Sequence, residues 1–102
     1  MKTTRQATDW TVEITGKAQK QRGKLPEDIA DALLALWTEL KLEGPVQPEW
    51  SHYGKLKGRK KEEHHCHLNK GRPAYVAVWQ VLDKQIRLME IKYVGTHENA
   101  PY

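Results

Sequence analysis

The chain has one cysteine, Cys66, and one serine, Ser51, in 102 residues. A single thiol excludes an internal disulfide and fits a reducing compartment. Ser51 has no nucleophile motif around it. Cys66 has histidine neighbours in sequence, but on an extended strand adjacent side chains point to opposite faces, so neither activates the thiol. A glycine-rich phosphate loop is absent, as are the Cys-x2-Cys and His-x3-His pairs of common zinc sites. No apolar run approaches the roughly 20 residues needed to span a bilayer. Met1 to Thr8 is polar and lacks the apolar stretch of an export signal. The expectation is a flexible N-terminus over residues 1–8, one domain over residues 9–102, a cytoplasmic location and no membrane partner.

What the chain does have is basic charge, and it is clustered. Lys and Arg number 17 against 13 Asp and Glu, a net +4. Between His52 and Arg72 stand Lys55, Lys57, Arg59, Lys60, Lys61, Lys70 and Arg72, opposed only by Glu62 and Glu63. Four of the five histidines lie in the same segment. Concentrated positive charge is the footprint of a polyanionic partner.

Trp10, Val12 and Ile14 alternate with polar residues, which predicts a half-buried strand over Asp9 to Thr15. Gly16 to Lys24 is basic and weakly helical. Pro26 to Lys41 carries Ile29, Leu33, Leu36, Trp37 and Leu40 on one helical stripe, with Glu27 and Asp28 at the positive end of the dipole. Gly44 and Pro45 stop it. Lys55 to Glu63 reads as a charged loop and His64 to Leu68 as a short strand. Asn69 to Pro73 reads as a hairpin turn. Tyr75 to Leu82 is apolar on both faces, the mark of a central strand. A last long strand is expected over Gln85 to Val94, ended by Gly95. A strand, two helices and then consecutive strands predict an α+β fold, a mainly antiparallel sheet of about four strands with both helices on one face.

Chemistry concentrates at the strand ends. On a strand His65 and His67 share one face, and His64 and Cys66 the other. Imidazole is the side chain whose ordinary pKa suits proton transfer near neutrality. His97 lies past the end of the last strand, and whether it meets His65 and His67 depends on register. Scission of RNA by its own 2′-hydroxyl needs a base, positive charge on the phosphorane and an acid for the leaving oxygen. His97, His67 and His65 are candidates for proton transfer, and Tyr102 for stacking on a base or orienting the phosphate. Lys55, Lys57, Arg59, Lys70 and Arg72 are candidates for binding phosphate. His64, His65, Cys66 and His67, with His52 or His97, offer zinc-type ligands, but alternation splits them between faces. No metal and no cofactor is expected.

This ordered set resembles the RelE/HigB superfamily of toxins from type II toxin–antitoxin modules. The matching stretches are Leu25-Pro26-Glu27-Asp28-Ile29, Lys55-Leu56-Lys57-Gly58, Tyr75 to Val81, and Asp83-Lys84-Gln85-Ile86 through Val94-Gly95-Thr96-His97 to Tyr102. The resemblance implies a RelE-like β-α-α-β-β-β fold and a ribosome-dependent endoribonuclease that cuts mRNA without a metal. It also implies a cognate acidic antitoxin, with mRNA and the ribosome as further partners. On this resemblance the lysines before the sheet fall on Lys55 and Lys57, a cationic position on His97 and the C-terminal tyrosine on Tyr102. Asn69 stands where a cation is usual, with His65, His67 or Arg72 as substitutes, and His97 replaces a frequent arginine. Two alternatives stand beside it. One is a non-catalytic toxin of the gyrase-inhibiting, ParE-like branch or an RNA-binding module; the other is an imidazole-rich metal-binding protein.

Overall fold

The structure, a computed structural model, describes residues 9–102. The expected flexible segment at residues 1–8 lies outside the described residues.

Strand β1 (Thr11–Ile14) leads into helix α1 (Gly16–Arg22), helix α2 (Glu27–Glu43) and then strands β2 (Gly54–Leu56), β3 (Glu63–His67), β4 (Tyr75–Asp83) and β5 (Leu88–Thr96). A 3₁₀ turn over His97–Asn99 precedes the C-terminal tail. The sheet order is β1-β5-β4-β3-β2. Among the described residues β1 pairs in parallel with β5, and the other strand pairs are antiparallel. The expected α+β class holds. Among the described residues the sheet has five strands rather than about four, because Gly54–Leu56 pairs with β3 as an edge strand instead of remaining in the charged loop.

Each element follows from local chemistry. The Thr15 side chain accepts from the Ala18 N–H and caps α1. Pro26 stands just before α2, where its missing N–H leaves nothing unpaired, and Glu27 and Asp28 fill the first turn. Ile29, Leu33, Leu36 and Leu40 are buried along α2. They pack on Cys66, Ala77, Trp79, Met89, Ile91 and Val94 of the sheet. Burying each leucine contributes about 1.5–3 kcal/mol. The Trp37 indole N–H donates to the Val12 carbonyl at 3.2 Å, locking α2 to β1.

Strand β4 is central, as its apolarity on both faces predicts. Its second face, free of helices, carries a smaller cluster of Val76, Val78 and Tyr93 covered by Leu56 and Ala100. The last strand begins at Leu88 rather than Gln85. The Asp83 carboxylate accepts from the Gln85 and Ile86 N–H groups, and Arg87 takes φ 54°, so these residues form the turn.

Candidate functional site

Strand β3 sorts the histidines. Register pairs His64 with Trp79 and Cys66 with Ala77, both on the helix side, so His65 and His67 face the helix-free side. Two backbone contacts then bring the rest of the chain to that side. The His67 N–H donates to the Ser51 carbonyl at 2.7 Å, placing the 51–52 corner beside β3. The His97 N–H donates to the Ala74 carbonyl at 2.8 Å, fixing the end of β5 against the start of β4.

The result is one cluster of imidazole and phenol rings. His52 stacks on His67 with ring centroids 4.1 Å apart, and His97 lies 5.3 Å from His67. Tyr102 sits 4.6 Å from His65 and 5.9 Å from His97. The question of register is therefore answered: all four sequence candidates for proton transfer and orientation stand together. His52, considered in the sequence only as a possible metal ligand, joins them as a fifth member. It adopts φ 55°, a left-handed conformation a histidine takes at a cost, and its Nδ1 lies 2.9 Å from the Ser51 hydroxyl.

The cluster borders a cavity of about 650 Å³ lined by His52, His67, Lys70 and Arg72 among others. The hairpin that carries these cations is closed by Asn69. Its side chain accepts from the Tyr75 N–H at 2.8 Å and donates to the Pro73 carbonyl at 3.3 Å. Asn69 is thus committed to the turn, and Lys70 and Arg72 are the exposed cations beside the imidazoles.

Lys55, Lys57 and Arg59 are placed differently. Lys55 pairs with His64, which directs it to the helix side of the sheet, away from His65. Lys55, Lys57 and Arg59 line a separate cavity of about 530 Å³ with Lys60 and Lys61. Arg59 does reach the cluster indirectly. Its guanidinium donates to the Pro101 carbonyl at 2.9 Å, next to Tyr102, and lies 3.8 Å from the Glu63 carboxylate.

Burial lowers the pKa of His65 and of His67, and the neighbouring imidazoles lower it further, His97 foremost for His65 and His52 foremost for His67. Both shifts favour the neutral imidazole, which can accept a proton or a hydrogen bond. An arriving phosphate would favour their charged forms and reverse the shift. Partial burial raises the Tyr102 phenol, so it remains a hydrogen-bond donor. Burial pushes the Cys66 thiol up to about 12, which removes it as a nucleophile. Among the described residues no group of three or more His, Cys, Asp and Glu side chains is arranged to hold a metal ion.

His64 belongs to a different network. Glu62 is held ionised by Lys84 and His64 against the opposing effect of burial, so it accepts from His64 Nε2–H at 2.7 Å. His64 Nδ1 then accepts from the Tyr53 hydroxyl at 2.7 Å. This chain secures Tyr53, and with it the corner that presents His52.

No protein-family model matches the chain, and no curated protein matches it. Solved structures do. A chain of the archaeal RelE–RelB complex from Pyrococcus horikoshii OT3 superposes with a TM-score of 0.72 at 20% identity, covering 91% of this chain and 100% of that one. The YoeB dimer from Staphylococcus aureus gives 0.67 at 13% identity, covering 88% of this chain and 99% of that one. The isolated E. coli RelE toxin gives 0.65 at 17% identity, over 90% and 88% of the two chains. The fold is the one these RelE and YoeB structures share, an α+β sheet whose helix-free face here carries the imidazole cluster.

Proposed function

We propose that this protein is the toxin of a type II toxin–antitoxin module and an endoribonuclease that cuts mRNA on the ribosome, in the cytoplasm, restrained by an acidic antitoxin. The observation that supports this reading is the convergence of His67 and His97, 5.3 Å apart, beside the cations Lys70 and Arg72. One of the two imidazoles takes the proton of the 2′-hydroxyl as its oxygen bonds to phosphorus. The other protonates the 5′-oxygen as the P–O5′ bond breaks. The products are a 2′,3′-cyclic phosphate and a free 5′-hydroxyl. Lys70 and Arg72 hold the phosphate, and Tyr102, with His65 behind it, stacks on or orients the neighbouring nucleotide. None of these steps requires a metal.

Expression of the full chain alone, with mapping of mRNA ends in the arrested cells, tests the reading. New ends with 5′-hydroxyls are expected. His67→Ala and His97→Ala should each lower cleavage by about 10²–10⁴, the usual contribution of one positioned acid or base. Arrest with intact transcripts and broken DNA would instead select the gyrase-directed alternative.

A further inference from the structure

The basic stretch from Gly16 to Lys24 plays no part in the cleavage chemistry, and no Asp or Glu lies between Gly16 and Pro26. Helix α1 buries only Ala18 and is docked on β5 by Gln21, whose side-chain oxygen accepts from the Val94 N–H at 3.1 Å. Beside that contact lies a cavity of about 610 Å³ lined by Lys17, Lys24, Lys92, Leu25, Tyr75 and Thr96 among others. Among the described residues no carboxylate lines it. Lys92 is engaged with Glu63 at 3.2 Å, whereas Lys17 and Lys24 are exposed. Two cations without a facing carboxylate, beside a partly apolar wall and the Gln21 and Thr96 polar groups, fit a ligand carrying both negative charge and a flat apolar ring.

The position of this cavity matters as much as its lining. Thr96 immediately precedes His97, and Pro101, also on its wall, immediately precedes Tyr102. The C-terminal segment is therefore shared: the imidazole cluster uses its His97 and Tyr102, and the lysine cavity uses Thr96 and Pro101. We propose that the cleft between α1 and the end of β5 is a second RNA subsite, binding the phosphates of adjacent nucleotides on Lys17 and Lys24 and a base against Leu25 and Tyr75. This extends the RNA-cleaving reading of the imidazole cluster, but it is tested by binding alone. The RNA has two possible sources, the cleaved message or the ribosomal RNA around it, with the same phosphate chemistry.

The test compares the full-length protein with Lys17→Ala/Lys24→Ala and with Lys20→Ala, a cation of the same helix outside the cleft. Anisotropy of a labelled single-stranded RNA of about ten nucleotides, a usual footprint for a small module, is followed against salt. If both lysines neutralise phosphates of that strand, the double variant binds more weakly and its log-affinity slope against log-salt is shallower by about 1.4. Lys20→Ala stays at the wild-type slope. Co-sedimentation with empty ribosomes supplies the second arm. Loss of ribosome association with oligonucleotide binding intact assigns the subsite to ribosomal RNA. Wild-type behaviour of the double variant in both arms, or an equal loss in Lys20→Ala, overturns the subsite. A wild-type protein that binds RNA here but cuts none overturns the nuclease reading and leaves the subsite standing.

Discussion

Burial lowers the His67 pKa most, and His52 is the neighbouring group that lowers it next. Its ring rests on His67, and it heads the neighbouring charges that hold the His67 pKa below the ordinary 6.5. Removing that ring relieves repulsion of the His67 cation and admits water, and both changes raise the His67 pKa. If His67 is the base, the acid limb of the kcat/KM profile reports its free-enzyme pKa. His52→Ala should then move that limb to higher pH, read from cleavage rates between about pH 5 and pH 8. A limb that stays in place would separate His52 from the chemistry. His52 is also the residue that sequence reasoning placed least well. Its histidine identity and basic neighbourhood were visible, but its left-handed backbone and its stack on His67 come from the His67–Ser51 backbone bond. That bond joins positions 16 residues apart across a loop, a contact no local pattern encodes. By contrast, the shared face of His65 and His67 was legible, because strand alternation depends only on neighbours.

At the level of elements, the C-terminal tail behaves as a strap. It is tied at one end by the Ala74–His97 backbone bond and at the other by Arg59 on the Pro101 carbonyl, with Tyr102 beyond. Arg59 was expected to bind phosphate; in the structure it contacts the Pro101 carbonyl and Glu63, contacts through which it would position Tyr102 in the proposed mechanism. Arg59→Ala and deletion of Tyr102 should each reduce cleavage, and the double variant should lose little more than the worse single one. A double-mutant cycle on cleavage rate measures this, since residues acting through one another are not additive. Full additivity would mean that Arg59 acts on RNA directly. Strand β5 shows why element boundaries were only partly legible. Met89 and Ile91 face the helices, and strict alternation would send Tyr93 there too. Register instead pairs Trp79 with Ile91 and Val78 with Tyr93, leaving Lys92 as an extra residue. This bulge reverses the phase, so Val94 enters the helix-side core and Tyr93 joins the opposite cluster. Tyr93 there donates to the Thr96 carbonyl at 2.7 Å, just before His97. A bulge is a property of paired strands, and a single-strand pattern does not contain it. The edge strand Gly54–Leu56 escaped for a related reason: three residues in a lysine-rich stretch have too little periodicity to be read.

The whole molecule divides its labour between the two faces of one sheet. The helix side supplies stability through α2 and the Trp79-centred core. The helix-free side stacks ionisable rings that repel one another when charged, with the exposed cations Lys70 and Arg72 beside them; in the proposed mechanism these attract the anion that would relieve the repulsion. This arrangement couples folding to pH. His64, His65 and His67 all have pKa values lowered from 6.5, chiefly by burial, and for His64 burial outweighs the attraction of Glu62. A histidine with a depressed folded-state pKa binds fewer protons folded than unfolded, so its stability contribution is complete above about 6.5 and declines as pH falls from there through the folded values. Glu62, lowered from the carboxylate range, adds a loss of the same sign at more acidic pH. The urea midpoint should therefore hold near neutrality and fall from about pH 6.5 to pH 5. An RNA oligonucleotide bound at the cluster should reduce that fall, because phosphate favours the imidazolium forms of His65 and His67. The His64 part should persist with RNA bound, since His64 is buried on the opposite face. A midpoint that rises on acidification would contradict the burial-driven shifts, and a fall unaffected by saturating RNA would place the phosphate away from His65 and His67.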